Sequence, residues 1–229
     1  MMLLPAAVLW DLDGTLIDSE PCWAAAEHKL AQTHGFEWTE QDELSLVGNA
    51  LPVSGAALQA RGIDLSVTEI VEIMVQSVVA DIGKAVPWQP GSLELLAALM
   101  SAEVPCALVT MSYQAIADQI LSSVPTGTFQ AVVSGDNVTH GKPHPEPYLL
   151  AAERLGVDIS RSVAIEDSLT GLASAHSAGA RVLAVQRKVQ IPAAEDRSRV
   201  AELVSLSVED LSRIAAGECI DRLADRHEE

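Results

Sequence analysis

The chain has 229 residues, 48% of them hydrophobic but only 3% aromatic, which predicts one domain, or a domain with an insertion, built on an aliphatic core. Lys and Arg number 14 against 32 Asp and Glu, and the net charge of −18 disfavours nucleic acid and anionic membranes as partners. The same charge repels phosphate, so a phosphate site in this chain requires local cations.

The cysteines and the N-terminal residues indicate a soluble protein of a reducing compartment. Cys22, Cys106 and Cys219 follow no metal-binding or redox spacing, so we expect free thiols. The apolar run at residues 1–10 carries no Lys or Arg and no small-residue cleavage pattern, which argues against a signal peptide. Because no stretch of about 18 apolar residues occurs, we expect no membrane span. We predict a cytoplasmic protein that is a monomer by default.

Five short, continuous apolar runs predict strands that are buried on both faces of a sheet. They are Ala6–Trp10, Pro105–Thr110, Ala131–Ser134, Ser162–Ile165 and Arg181–Val185, with a weaker sixth run near Leu203–Leu206. Helical patterns at 92–100, 112–121, 145–155 and 168–178 separate these runs. The alternation predicts an α/β fold with a parallel sheet, whose strands all end at one edge, where the ligand binds.

The interval between the first two predicted strands is too long for a simple crossover. Asp11 and Thr110 lie about three times farther apart than the roughly 30 residues that a strand–helix–strand unit needs. The surplus at 18–85 predicts an all-helical insertion that lies over the strand ends as a lid, with a peripheral decoration as the alternative. Residues 1–17 and 86–229 then form the catalytic core. The insertion helices are predicted at Pro21–His34, Gln41–Val47, Pro52–Arg61 and Val67–Ile82.

The first strand ends in the acidic motif DLDGTL at residues 11–16. Two carboxylates this close raise each other's pKa unless a cation intervenes, and Mg²⁺ binds a few carboxylates together with water and phosphate oxygens. We therefore predict that Asp11 attacks phosphorus and that Asp13 serves as general acid and base. Gly14 permits the tight turn after the strand. A strand-capping turn without chemistry is the alternative.

Two later loops offer a hydroxyl and a cation at strand ends. The Thr110 hydroxyl and the Met111 backbone amide follow the second strand, where they can hold phosphate oxygens. Lys142 lies in the proline-bracketed loop GKPHP and supplies the local positive charge that phosphate requires. Taken singly, such residues are more often a simple cap or a solvated lysine. We assign His140 and His144 to loop packing rather than to ligand binding.

A second acidic pair follows the fourth predicted strand. Asp167 is suited to be a third protein ligand of Mg²⁺. Glu166 either binds the metal as well or orients Lys142 or Ser168. Ser168 is predicted to cap the helix that follows, as Ser112 is predicted to cap the helix after the second strand. Acids at a helix N-terminus are the alternative explanation of this pair.

The order of these elements resembles the haloacid dehalogenase superfamily of phosphohydrolases, over nearly the whole interval from Val8 to about Val185. The string WDLDGTLIDSE is highly specific, and GKPHPEPY and IEDSLTGLASAHSAGA are close to the family form. The insertion is similar to the small cap of the subgroup that contains β-phosphoglucomutase and sugar phosphatases. The resemblance implies a Rossmann-like core, a mobile helical cap, Mg²⁺ and an aspartyl-phosphate intermediate.

The resemblance also implies a role for each matching position. Asp11 is the nucleophile and a metal ligand, and Asp167 is a second metal ligand. Asp13 is the acid and base, and its backbone carbonyl also binds the metal. Thr110 and Lys142 hold the phosphate.

Departures from the family pattern narrow the subtype. Trp23 stands where β-phosphoglucomutases carry a His, which weakens a mutase assignment. The segment DSEPCW at 18–23 is similar instead to the DSEPLW-type opening of bacterial hexose and hexitol phosphatases. Met111 replaces the Asn or Ala that is frequent in the family, so a side-chain hydrogen bond from Asn is lost. Asp13 argues against the dehalogenase branch, which lacks an acid there.

The leading hypothesis is a Mg²⁺-dependent phosphatase whose partner is a small phosphomonoester, a sugar or polyol phosphate. A hexose-phosphate mutase, a phosphoglycolate-type phosphatase and a catalytically idle scaffold are the alternatives. The residues that we expect to influence substrate choice are Glu20, Trp23, Gly48 and Asn49.

Overall fold

A computed structural model describes residues 3–46, 50–187, 189–204 and 206–223. Its six parallel strands form one sheet in the order β3-β2-β1-β4-β5-β6. The strands are β1 (Val8–Trp10), β2 (Cys106–Val109), β3 (Ala131–Val133), β4 (Val163–Glu166), β5 (Arg181–Val185) and β6 (Arg197–Val200). The α/β class and the first five predicted strands are confirmed.

The predicted position of the sixth strand is wrong. β6 occupies Arg197–Val200, and Leu203 and Leu206 follow it outside the sheet. Both leucines are buried, so their apolar pattern reflects core packing rather than strand formation. β6 is an edge strand in which half-buried and buried positions alternate. It therefore lacks the continuous apolar run that marks a strand buried on both faces.

The central strand β1 sets the position of the site. Trp10, its last residue, aligns with Leu108 of β2 and with Ile165 of β4. Val8 and Trp10 face one apolar layer and Leu9 faces the other, so both faces of the sheet are buried. Because these neighbouring strands are parallel and in register, the residues that follow each of them emerge at the same edge.

In the described part of the predicted insertion, four helices follow β1, as predicted, and the predicted helix end at Val47 lies outside the described residues. They are α1 (Glu20–Thr33), α2 (Glu40–Leu46), α3 (Leu51–Ala60) and α4 (Val67–Lys84). A reciprocal capping box between Ser66 and Glu69 begins α4. α1 and α3 pack against α4, and α4 in turn packs on the helix that follows β2. The proposed division of the chain at 18–85 remains a prediction.

The remaining helices cover the two faces of the sheet. They are α5 (Ser92–Ser101), α6 (Gln114–Leu121), α7 (Glu146–Leu155), α8 (Leu169–Ser177) and α9 (Val208–Ala215). α5, α6 and α9 share one apolar layer with the insertion, whereas α7 and α8 form the opposite layer. In the described ranges, no helix is long and apolar enough to cross a membrane.

Candidate active site

Three carboxylates converge where β1 and β4 end. Asp11, Glu166 and Asp167 each offer a ligand oxygen, and these oxygens lie within 4.8 Å of one another. The parallel pairing of β1 with β4 brings them together. Gly14 makes room for this approach, since its φ is +84° and a Cβ there would lie 2.1 Å from Asp167 Oδ2. We refer to the three acids as the acidic cluster.

The acidic cluster carries more negative charge than its surroundings neutralise. Burial raises the pKa of Asp11 well above its usual value, and the charge of Glu166 raises it further, against the opposing effect of Lys142. Burial and then Glu166 raise the pKa of Asp167 to about 7. An all-oxygen donor set in this electrostatic state is suited to a hard divalent cation.

Lys142 provides a positive charge inside the site. Its Nζ donates hydrogen bonds to Asp11 Oδ1 at 2.6 Å, to Glu166 Oε1 at 2.6 Å and to the Val109 carbonyl at 2.9 Å. These contacts use all three ammonium protons. Burial alone would lower the pKa of Lys142, but Asp11 and Glu166 outweigh burial and hold that pKa above its usual value. Lys142 is therefore a permanent, fixed cation.

Glu166 is fully buried and is held on both oxygens. Oε1 accepts from Lys142 Nζ and from the Tyr148 hydroxyl at 2.7 Å, and Oε2 accepts from Ser168 Oγ at 3.1 Å. Ser168 also accepts from the Gly171 amide at 3.0 Å, so the predicted cap of α8 is confirmed. A Cβ on Gly171 would lie 1.9 Å from Glu166 Oε1, so glycine is required there. Glu166 thus contacts both Lys142 and Ser168, the two residues that it was predicted to orient, and the choice between this role and metal binding remains a prediction.

Asp13 has a different set of partners, which we call the Asp13 cradle. Its Oδ1 accepts from Ser19 Oγ at 2.5 Å and from Trp23 Nε1 at 3.4 Å. Its Oδ2 accepts from Thr110 Oγ1 at 3.1 Å and from Ser112 Oγ at 2.7 Å. Two donors come from the start of the insertion and two from the loop after β2. The cradle therefore joins the insertion to the sheet through one carboxylate.

Two of these contacts differ from the sequence predictions. The predicted helix cap at Ser112 is wrong: Tyr113 occupies the N-cap position of α6, and the Ser112 hydroxyl is directed to Asp13 instead. The Thr110 hydroxyl likewise donates to Asp13, so its phosphate-binding role remains a prediction. The Met111 side chain packs beneath the Lys142 loop, where its Sδ accepts from the Lys142 amide at 3.2 Å.

Two of the four residues that are predicted to influence substrate choice lie among the described residues. Glu20 is the first residue of α1, and Trp23 lies one turn further along it, at Asp13. Gly48 and Asn49 lie outside the described residues.

Several side chains of the site escaped sequence reasoning. Ser19 looks like a helix cap, but it makes no cap hydrogen bond and donates to Asp13. Arg187 follows β5, just as the predicted site residues follow their strands. Examining the residues that follow each predicted strand would therefore have identified it. Its Nε and Gln89 Nε2 donate to the Gly14 carbonyl at 3.3 and 3.1 Å. Tyr148 lies within a helix, where no local signal distinguishes it from core packing.

The sequence and the structure are both similar to those of known proteins of one family. A family model described as haloacid dehalogenase-like hydrolase matches residues 8–185. A phosphorylated carbohydrates phosphatase of Thermotoga maritima is 33% identical over 178 residues, covering 76% of this chain and 81% of that protein. Hexitol phosphatase B of Escherichia coli K12 is 28% identical over 218 residues, covering 90% and 96%. CbbY of Rhodobacter sphaeroides, crystallised with phosphate, superimposes with a TM-score of 0.78 at 25% identity, covering 88% and 96%.

Proposed function

The chain belongs to the haloacid dehalogenase-like hydrolases, and on that premise we propose that it is a Mg²⁺-dependent phosphatase of a small sugar or polyol phosphate. The observation that carries the proposal is the position of Asp11 between a buried lysine and two further acids. In this arrangement Asp11 would be the nucleophile, the charge of Lys142 would offset that of a phosphate, and the acids would hold the metal.

Asp11 is the proposed nucleophile. Lys142 Nζ donates a hydrogen bond to Asp11 Oδ1 and so fixes the orientation of the carboxylate before substrate binds. Attack on phosphorus forms a bond between a carboxylate oxygen of Asp11 and phosphorus, which gives an acyl phosphate, and breaks the bond between phosphorus and the leaving oxygen. Water then attacks the aspartyl-phosphate, which releases inorganic phosphate and restores Asp11.

The acidic cluster is the proposed metal site. Asp11 and Asp167 would hold Mg²⁺ through carboxylate oxygens, and Asp13 would hold it through its backbone carbonyl. The raised pKa values of Asp11 and Asp167 support this assignment, since both acids lack a full set of cationic partners. When bound, Mg²⁺ would neutralise charge on the carboxylates and on the transferring phosphoryl group.

Asp13 is the proposed general acid and base. It protonates the leaving alkoxide oxygen in the first step and accepts a proton from the attacking water in the second. The Asp13 cradle keeps the carboxylate at the junction of sheet and insertion, where the leaving group would lie. Two of its hydroxyl donors, Thr110 and Ser112, come from the loop after β2, where the phosphate is predicted to bind.

Sugar and polyol phosphates are the proposed substrates because the relatives bear names of carbohydrate and hexitol phosphatases. The helical insertion supports a small substrate, since it adds a second wall close to Asp13. Trp23 places an indole at that wall, and an aromatic ring is well suited to contact the apolar face of a sugar.

A phosphate-release screen tests the proposal. The protein is incubated with Mg²⁺ and a panel of sugar, polyol, nucleotide and glycolate phosphates, and free phosphate and product sugars are both measured. Stoichiometric phosphate release that requires Mg²⁺ and fails in Asp11→Asn is expected. Conversion to an isomeric sugar phosphate without phosphate release would identify a mutase, and inactivity across the panel would contradict both.

A further inference from the structure

A second group of potential metal ligands lies on the loop that carries Lys142. His140, His144 and Glu146 each offer a ligand atom, and these atoms lie within 4.8 Å of one another. The proposed hydrolysis uses none of the three. We propose that this group, the histidine cluster, is a binding site for a transition-metal ion of the Zn²⁺ class. The assignment revises the loop-packing role that sequence alone gave to both histidines.

The geometry of the histidine cluster is largely set before any ion binds. His140 Nδ1 lies 2.9 Å and His144 Nδ1 lies 3.9 Å from the same oxygen, Glu146 Oε2. The two imidazole rings have their centroids 4.6 Å apart. The backbone amides of Thr139 and His140 donate to the Glu146 carboxylate at 2.7 and 3.0 Å and fix its position. An ion at His144 Nδ1 would displace only a 3.2 Å hydrogen bond from the Glu146 amide.

The donor types select the kind of metal. Two imidazole nitrogens and one carboxylate form a ligand set that proteins use for Zn²⁺, with a further position left to water. Imidazole sites bind Ni²⁺, Cu²⁺ and Zn²⁺ in preference to Mg²⁺, whereas the all-oxygen acidic cluster suits Mg²⁺. The two sites would thus sort metals by ligand chemistry. Solvent reaches the histidines, whose side chains are 62% and 50% exposed, so an ion can enter directly from solution.

An ion at this site would tie together both ends of a short loop. His140 and His144 flank Lys142, which forms the central ion pairs of the acidic cluster. Holding both histidines to Glu146 at the start of α7 restricts the loop from two sides. Occupation of the site is therefore expected to stabilise the fold by mass action, because the unfolded chain does not hold the three ligands together.

Metal titrations of matched variants test the proposal. Zn²⁺ binding is measured by calorimetry at saturating Mg²⁺, in a Cys219→Ser background because Cys219 is an exposed thiol. His140→Ala and His144→Ala should each weaken one Zn²⁺ site by at least about 100-fold, since losing even an outer partner of a metal ligand costs about 10–100-fold. His176→Ala is the control, because His176 is a similarly exposed histidine that pairs with Asp196 at 3.2 Å but belongs to neither group of potential metal ligands found among the described residues.

Cu²⁺ electron paramagnetic resonance provides a second readout that does not depend on affinity. Hyperfine splitting from two imidazole nitrogens is expected in the background protein and in His176→Ala, but from one nitrogen in His140→Ala or His144→Ala. Unchanged Zn²⁺ stoichiometry and affinity in both cluster variants would overturn the proposal. An equal loss in His176→Ala, or a spectrum with fewer than two nitrogens in the background protein, would overturn it as well.

Discussion

Asp11 and Asp13 leave the same strand two residues apart, yet the protein surrounds them with opposite kinds of partner. Asp11 lies among charges, with Lys142 on one side and the two other acids of the cluster beside it. Asp13 is held by four neutral donors in the Asp13 cradle. In the proposed mechanism, the first environment holds the carboxylate that attacks phosphorus, and the second positions the carboxylate that transfers protons.

The difference also extends to where the partners come from. Among the described residues, the groups that contact Asp11 or shift its pKa belong to the sheet and its loops and not to the insertion. The Asp13 cradle draws Ser19 and Trp23 from the insertion side. Displacement of α1 would therefore alter Asp13 directly and leave Asp11 in place.

Replacing Asp11, the acid surrounded by charges, is the strongest test of the comparison between Asp11 and Asp13. Asp11→Asn should lower kcat by at least about 10⁴-fold, because the nucleophile is removed. Its melting temperature should stay near that of wild type or exceed it, since burial and repulsion already disfavour the Asp11 carboxylate. Thermal melts and phosphate release measure the two effects. A large loss of folded protein would show that Asp11 is a structural residue.

Replacing the acid of the cradle should have an effect that depends on the substrate. Asp13→Asn should slow hydrolysis of a sugar phosphate by about 10²–10⁴-fold, because the alkoxide leaving group needs a proton. Hydrolysis of p-nitrophenyl phosphate should suffer much less, since that leaving group departs without protonation. Steady-state kinetics on both substrates give the ratio. Equal losses with both substrates would contradict the acid role of Asp13. Asp11 and Asp13 would then differ in their partners but not in the roles proposed for them.

Removing the lysine should show how far the acidic cluster depends on it. Lys142→Met leaves Glu166 buried beside Asp11 without their shared cation, and the free energy of unfolding should fall by about 3–5 kcal/mol. Urea denaturation without Mg²⁺ measures this loss. Glu166→Gln in the same chain should restore part of the stability, because the uncompensated charge is removed. Additive losses in the double variant would contradict the coupling of Lys142 with Glu166.

The smallest predicted effect concerns Glu27, a buried acid whose hydrogen bond comes from a tryptophan rather than from a lysine. Glu27 in α1 is buried and accepts a hydrogen bond from Trp38 Nε1 at 3.0 Å. Burial raises the pKa of Glu27 from 4.5 to about 7, so between these values the folded state holds a proton that the unfolded state has lost. The free energy of unfolding should therefore fall as pH rises through this window, by at most about 1.4 kcal/mol per pH unit.

Glu27→Gln is the matched control for that pH dependence. The amide oxygen keeps the bond from Trp38 but cannot ionise, so the slope of stability against pH should become shallower. Denaturant titrations at several pH values compare the two proteins. Identical slopes would assign the pH dependence to other groups.

Much of the acidic cluster was predictable because it depends on one rule, that parallel strands end at a common edge. β1 and β4 are buried on both faces, so their apolar runs identify them, and the acids that follow must meet. The rule fails for β6, where the edge position removes the apolar run. The rule also does not identify Tyr148, because its hydroxyl contacts Glu166 only after α7 has packed on the sheet.

The Asp13 cradle was less predictable, because its donors depend on tertiary placement. Ser19 and Ser112 both precede helices and look like caps, yet each hydroxyl is directed to Asp13. Trp23 was identified as a departure from a family pattern, but the hydrogen bond from its indole was not predicted. A local pattern gives the hydrogen-bonding capacity of a side chain, while the partner is chosen by how the insertion returns to the sheet.

The position of β1 in the sheet has a consequence for the order in which the protein assembles. β1 precedes both of its neighbours along the chain, since β2 begins at Cys106 and β4 begins at Val163. The helices of the insertion form through local contacts and shorten the loop that separates β1 from β2, which lowers the entropy cost of pairing these strands. The pairing with β4 must wait until most of the chain has left the ribosome. Asp11 is thus synthesised well before the residues that complete its surroundings.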